Sequence, residues 1–223
     1  SRRSAQTLGT EREGHGILLD DEGLVLTIGY LIMEADTVTI TDIEGNETAA
    51  RIVGYDYESG FGLVRTETPV PQRPMAFGDS DTLSLRAEAY VAGLGGEKAT
   101  LKVKVAGRRE FAGYWEYLLD EAIFTAPAHP SWGGGALLSA DGDLLGIGSL
   151  RLQMVSNQEV ADINMVVPID LLPPILDDLI TRGEAARPPR PWLGVFSAES
   201  DGDVVVMSVA ANSPAPQAGP MRG

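Results

Sequence analysis

Short apolar runs broken by turn-forming residues dominate the chain from Gly16 onward. Ile17-Leu18-Leu19 and Leu24-Val25-Leu26 flank Asp20-Asp21-Glu22-Gly23, a pattern that predicts a hairpin. Thr37-Val38-Thr39-Ile40-Thr41 alternates with period two, as a half-buried strand does. Glu44-Gly45-Asn46 marks a turn, and strands are predicted over residues 49–55 and 61–65. Pro69, Pro71 and Pro74 mark a connection, after which strands are predicted over residues 89–94, 100–105, 121–126, 136–139, 144–149 and 163–167. Asp141-Gly142 suits a tight turn between two of them. Strands this short and this evenly spaced predict an all-β barrel or sandwich.

One helix interrupts the pattern. Leu171, Leu172, Ile175, Leu176, Leu179 and Ile180 recur at helical spacing behind Asp170, a candidate N-cap. Pro173 and Pro174 then fall in the first turn, where a missing amide costs least, and Gly183 ends the helix. Residues 185–191, rich in proline, read as a stiff linker. Strands are predicted again over residues 192–195 and 203–209, too short a piece to bury a core of its own.

Composition narrows the function classes. Apolar residues make up 43% of the 223, enough for a sizeable core, so the chain as a whole is predicted to fold. The net charge of −15 argues against a nucleic-acid or anionic-membrane partner, since both require a basic face. There is no cysteine, which excludes disulfides and thiolate chemistry, and the two histidines, His15 and His129, are too few and too isolated for a usual zinc site. No apolar run reaches the length of a membrane span, and no cofactor or metal is expected. The first fourteen residues are polar and mixed in charge and read as a mobile arm; because the chain starts at Ser1, any signal or anchor is expected upstream of it.

Six motifs in order resemble the HtrA/Deg family of trypsin-like serine proteases. Gly23-Leu24-Val25-Leu26-Thr27 is similar to the segment before the family's catalytic histidine, and Arg51-Ile52-Val53-Gly54-Tyr55-Asp56 to the strand leading to its aspartate. Phe77-Gly78-Asp79-Ser80 resembles the connector between barrels, and Gly133-Gly134-Gly135-Ala136-Leu137 stands where the family has Ser-Gly-Gly-Pro-Leu. Asn164-Met165-Val166-Val167-Pro168-Ile169-Asp170 resembles the segment feeding the C-terminal helix, and Trp192-Leu193-Gly194-Val195 the opening of a PDZ domain. Ser213-Pro214-Ala215-Pro216-Gln217-Ala218-Gly219 is similar to a turn of that same domain. The resemblance implies two six-stranded β-barrels with a cleft between them, a C-terminal helix and a partial PDZ domain. It divides the chain into an arm (1–14), a first barrel (15–84), a second barrel with the helix (85–183), a linker (184–191) and an incomplete PDZ domain (192–223).

The same resemblance places the catalytic triad, and each of its positions is changed. Tyr30 stands at the histidine position, Gly60 at the aspartate and Gly133 at the nucleophile. Gly133 has no group to attack with. Tyr30, with an ordinary pKa of about 10, keeps its proton at neutral pH and is a poor general base. Gly60 cannot orient an imidazole. Loss of a triad costs on the order of 10⁶ in turnover in a well-studied protease. Three simultaneous changes, none to alanine, differ from the usual engineered knockout. The chain is therefore expected to be a pseudoprotease that binds polypeptide, protein C-termini or an active protease relative. Trp132, Tyr30, Gly133 and Gly134 would line its cleft, and Trp192, Leu193, Gly194 and Val195 would form the PDZ carboxylate loop. The glycine run at 133–135 also reads as a source of loop mobility.

Two alternatives remain open at this point. One is an endopeptidase whose chemistry has moved to Ser131 and His129, although neighbours two residues apart rarely reach nucleophile–base geometry. The other is a structural subunit of an envelope complex, since the family forms trimers through its N-terminal arm; the few aromatic residues in this arm weigh against a trimer. The resemblance also implies a periplasmic or envelope location. Three further features have plain readings: Ala92-Gly93-Leu94-Gly95-Gly96-Glu97-Lys98 as a turn and not a nucleotide loop, Asp20-Asp21-Glu22 as a solvated turn and not a calcium site, and His15 as a hydrogen-bonded histidine.

Overall fold

The structure is a computed structural model and describes residues 8–113, 117–156, 159–188, 193–200, 202–210 and 213–215. The chain divides into two compact units, Ser1–Ala186 and Arg187–Gly223. Trp192 and residues 216–219 of the expected PDZ motifs lie outside the described residues.

The first unit holds two β systems. In the first, strands β1 (Ile17–Leu18), β2 (Leu24–Ile28), β3 (Val38–Thr41), β4 (Glu47–Tyr55) and β5 (Phe61–Thr66) form one antiparallel sheet in the order β1-β2-β5-β4-β3. In the second, β6 (Glu88–Ala92), β7 (Thr100–Ala112), β8 (Leu118–Ala126), β9 (Ala136–Leu138), β10 (Leu144–Ser156) and β11 (Glu159–Pro168) close into a barrel in the order β10-β11-β8-β7-β6-β9. The all-β, trypsin-like architecture is the one expected; the first system ladders five strands in an open sheet, because β1 is only two residues long and does not pair with β3. Buried residues from both systems form one core: Leu26, Ile28, Phe61 and Leu63 from the sheet pack with Leu144, Ile147, Met165 and Val167 from the barrel. Full burial of each such side chain contributes roughly 1.5–3 kcal/mol, so this shared core holds the walls of the cleft together.

Four barrel strands run further than the apolar pattern predicts. In β7 the charged run Arg108-Arg109-Glu110 lies beyond the strand predicted over 100–105, and neighbouring side chains partner its arginines. Arg108 pairs with Asp81 (3.0 Å) and Glu121 (2.7 Å), and the Arg109 guanidinium stacks 4.7 Å from the centroid of the Phe124 ring. The outer half of β10 is pinned to β11 by Arg151–Asp162 in the same way. A short helical turn, α1 (Gly29–Ile32), is absent from the predicted pattern.

The expected helix is corrected at its start. Residues 169–171 form a 3-10 turn, and helix α2 begins only at Leu176 and runs to Arg182. Pro173 and Pro174 carry no amide donors, so the backbone bonds here run only as i→i−3 turns, from Leu172 to Ile169 and from Ile175 to Leu172, and the regular helix starts after them. Asp170 does not cap it: its carboxylate accepts the Ser80 amide (3.0 Å) and the Ser80 hydroxyl instead. Gly183 closes α2 in a left-handed conformation, and its carbonyl accepts the Tyr55 amide (3.0 Å), which docks the helix on β4.

In the second unit, β12 (Val195–Ser200) and β13 (Asp203–Val209) make one hairpin. The strand predicted at 192–195 starts only at Val195; before it, Leu193-Gly194 is a loop, with Gly194 at φ +76°. The Leu193 carbonyl accepts from the Ala215 amide (3.0 Å) and the Gly194 carbonyl from Ala210 N (2.8 Å) and Ser213 Oγ (3.3 Å).

Candidate functional site

The cleft is built from three turns. The first follows β2, whose five residues are all buried. At its end Gly29 sits so close to the next turn that a Cβ there would lie 3.0 Å from the Gly60 carbonyl, and the Gly29 amide donates to that same carbonyl (2.6 Å). The chain coils into α1, and Tyr30 turns into the cleft. Its hydroxyl donates to the Ser149 carbonyl (2.7 Å), and its own carbonyl accepts from Arg12 (2.5 Å).

The second turn joins β4 to β5. The buried Asp56 carboxylate accepts the Ser59 amide (2.9 Å) and hydroxyl (2.6 Å), and the Asp56 carbonyl accepts the Gly60 amide (2.9 Å). Asp56 thus organises the turn, and Gly60 completes it at φ +78°, a conformation that favours glycine. The space beside Gly60 is taken. A Cβ there would lie 2.7 Å from Cδ1 and 2.8 Å from Cζ of the Tyr117 ring, and the Tyr117 hydroxyl bonds the hydroxyl of Ser149.

The third turn carries residues 129–135. The Gly133 carbonyl accepts the His15 amide (2.8 Å), Gly134 N donates to the Gly148 carbonyl (2.8 Å), and Gly148 N donates to the Gly135 carbonyl (2.7 Å). The expectation of a mobile glycine run is corrected: backbone bonds hold it on both sides, and Gly134 is needed at φ +79° because a side chain there would run into the His15 carbonyl. Thr27 Oγ1 donates to that His15 carbonyl (2.7 Å), which ties the loop to β2.

The structure brings Tyr30 and Gly133 together: a Cβ on Gly133 would lie 3.2 Å from the Tyr30 hydroxyl. Gly60 joins them through the ring of Tyr117 and the shared partner Ser149, so all three positions inferred from the motifs face one cleft. Trp132, half-buried, sits next to Gly133 with its backbone against Gly148. Two participants carry no local sequence signal. Tyr117 follows the tip of the β7–β8 hairpin and Ser149 lies in the middle of β10; only the pairing of those strands shows where they meet.

His129 and Ser131 are close but not in attacking geometry. His129 is 5% exposed; its ring Nε2 faces the Ala99 carbonyl (3.1 Å), which fixes the proton there, and its Nδ1 accepts the backbone amide of Ser131 (2.9 Å). The acceptor nitrogen therefore serves the Ser131 amide and not its hydroxyl. In a trypsin-type site the amide two residues before the nucleophile helps hold the oxyanion. The amide two residues before Gly133 belongs to Ser131 and is occupied by His129. The Asn164 amide group brackets the His129 backbone (His129 N to Asn164 Oδ1, 2.6 Å) and locks the loop. Burial, and then the nearby His129, hold the His15 imidazole below its ordinary pKa of 6.5.

Among the described residues no group of three or more metal-ligating side chains comes together. At the expected acidic turn, Asp20 accepts the amides of Glu22 (2.9 Å) and Leu24 (2.8 Å), and Arg65 pairs with both Asp20 and Glu22. Among the described residues, no helix is long and apolar enough to cross a membrane.

A family model described as a trypsin-like peptidase domain matches residues 14–147, more than half of the chain. The serine endoprotease DegS of Haemophilus influenzae is 25% identical over 92% of this chain and 61% of its own length. The serine protease Do-like HtrA of Bacillus subtilis is 24% identical over 92% of this chain and 51% of its own. The chain thus spans half to three fifths of these curated relatives. Among solved structures, the HtrA-type protease AlgW with decapeptide superposes with a TM-score of 0.64 at 22% identity, covering 92% of this chain and 66% of that one. Deg5 superposes at 0.58 and 22% identity, covering 76% and 84%. With its sheet and closed barrel sharing one core, the matched family model and these relatives, the chain belongs to the trypsin-like peptidase domain family, in its HtrA group.

Proposed function

We propose that this chain is a non-catalytic member of its family, which holds polypeptide instead of cleaving it. One observation carries the reading: where the attacking hydroxyl belongs there is Gly133, and the group facing it is the phenol of Tyr30, donated to the Ser149 carbonyl at 2.7 Å. A phenol in that bond holds its proton and offers no general base. The Ser131 amide is taken up by His129 Nδ1, which also weighs against chemistry relocated to Ser131 and His129.

The cleft supplies Tyr30, Trp132, Gly133 and Gly134 as its lining. The second unit is proposed as the opening of a PDZ domain, in which Trp192, Leu193, Gly194 and Val195 form the loop that receives a C-terminal carboxylate. Polypeptide or protein C-termini, or an active relative, are the proposed partners, and an envelope location is proposed from relatives such as the periplasmic endoprotease DegQ of Escherichia coli. A trimer is a further proposal, to be checked by mass measurement in solution.

Purified protein incubated with unfolded casein and a fluorophosphonate probe tests the reading. The expected outcome is retention of intact casein and no labelled serine. Labelling that disappears in Ser131→Ala overturns it.

A further inference from the structure

Tyr117 follows the end of a long two-stranded ribbon. Near the tip, Phe111 pairs with Leu119 and Ala112 with Leu118, and the Gly113 amide donates to the Tyr117 carbonyl (2.9 Å). Strand β11 supports β8 only from Ile123 to Thr125, so the outer ribbon has no third strand in the ladder. A two-stranded ribbon is marginal in water without something to pack on. Here the Tyr117 ring packs beside Gly60 and tilts against Phe111 (centroids 6.3 Å apart). Its hydroxyl bonds the hydroxyl of the fully buried Ser149, whose carbonyl already takes Tyr30. The absence of a side chain at Gly60 and the presence of a phenol ring there fit each other: any larger residue at 60 displaces the ring.

We propose that Tyr117 is an internal ligand of the cleft, a latch that fills a tyrosine-shaped pocket between Gly60 and Ser149, and that polypeptide bearing a tyrosine side chain competes for this pocket when the ribbon swings out. This rests on the polypeptide-binding reading above and names both its regulation and the side chain it prefers. The ring volume beside Gly60 selects an aromatic group, and the Ser149 hydroxyl selects one with a polar tip over plain phenylalanine.

The test compares wild type with Tyr117→Ala, and with Gly60→Ala, which leaves the ribbon sequence intact and crowds out the ring while also straining the left-handed backbone at 60. Hydrogen exchange is followed at residues 111–113, 117–119 and 29–32. In both variants exchange at these amides should speed up by about tenfold. In Tyr117→Ala, p-cresol should slow it again and raise the melting temperature, and toluene, lacking the hydroxyl, should do so less. A fluorescein-labelled Ala-Ala-Tyr-Ala-Ala peptide should bind Tyr117→Ala about tenfold tighter than wild type, and its Phe counterpart should gain less. Unchanged exchange in both variants, or no response to p-cresol, overturns the latch. If exchange and p-cresol behave as expected while neither the peptide nor unfolded casein binds any form, the pocket stands and the polypeptide-binding reading falls. If casein binds wild type and variants equally with unchanged exchange, the reverse holds. Should Tyr117→Ala fail to fold, Tyr117→Leu takes its place in the exchange, p-cresol and peptide measurements, because an alanine at 60 would crowd a peptide's ring as it crowds that of Tyr117.

Discussion

Gly133 and Gly134 are neighbours in one run of glycines, yet their replacement by alanine should have very different costs. At Gly134 the backbone holds φ +79°, and a Cβ would lie 2.9 Å from the His15 carbonyl carbon and 3.0 Å from Thr27 Oγ1. Gly134→Ala must therefore strain the backbone and push the His15 segment away. That segment makes two bonds here, His15 N to the Gly133 carbonyl and Thr27 Oγ1 to the His15 carbonyl, and Gly134 N makes a third to Gly148. Left-handed strain of about 1–2 kcal/mol plus up to three bonds at about 1 kcal/mol each gives a loss of roughly 3–5 kcal/mol. At about 2–4 °C per kcal/mol for a chain of this size, the melting temperature should fall by about 6–20 °C. Gly133 has no such φ, and its Cβ would meet only the Tyr30 hydroxyl at 3.2 Å. Gly133→Ala should cost no more than about 1 kcal/mol. Urea denaturation of the two variants, analysed with a common slope, measures the difference. Equal losses, or a loss below about 1 kcal/mol for Gly134→Ala, would refute the view that close approach and backbone conformation, not a glycine at every position of the run, fix this loop.

Other outcomes follow from the same geometry. Tyr30→Phe removes the bond to the Ser149 carbonyl and should lower stability by about 1 kcal/mol in urea denaturation, and Gly133→Ser should fold but gain no casein hydrolysis, since no imidazole faces it. Asp170→Ala leaves the fully buried Ser80 without its carboxylate partner, and a loss of about 2 kcal/mol is expected by the same measurement. His15 is held below its ordinary pKa of 6.5 first by burial and then by His129, so the unfolded chain binds the proton more readily than the folded one. Stability should therefore fall as pH drops below that value toward the folded pKa, and His15→Gln should flatten this part of the stability–pH curve; an unchanged slope would show that His15 is not the group responsible.

Local pattern carries far in this chain because strand and turn signals are local. Alternation at residues 37–41, the Asp141-Gly142 turn and the spaced apolar runs point to the all-β class and to the succession of strands along the chain. The motifs around Tyr30, Gly60 and Gly133 mark three positions that do meet in one cleft. Where a local signal conflicted with its surroundings it misled. Asp170 looks like a helix cap and instead serves Ser80, 90 residues away, because two prolines delay the helix. The charged stretch of β7 shows no apolar alternation and continues the strand past residue 105, because Asp81, Glu121 and Phe124 satisfy its arginines.

Which side chains fill the cleft was decided by the tertiary structure alone. Tyr30 and Ser149 are 119 residues apart, and Tyr117, just before β8, is 32 residues from Ser149 on β10, a strand that does not pair with β8. No periodicity or spacing in either segment anticipates these bonds. The sequence determines which residues stand at positions 30, 60 and 133, since a side chain's chemistry is written at its own position. Which residues meet them in the cleft depends on barrel closure and strand register, and these arise only when distant strands pack together.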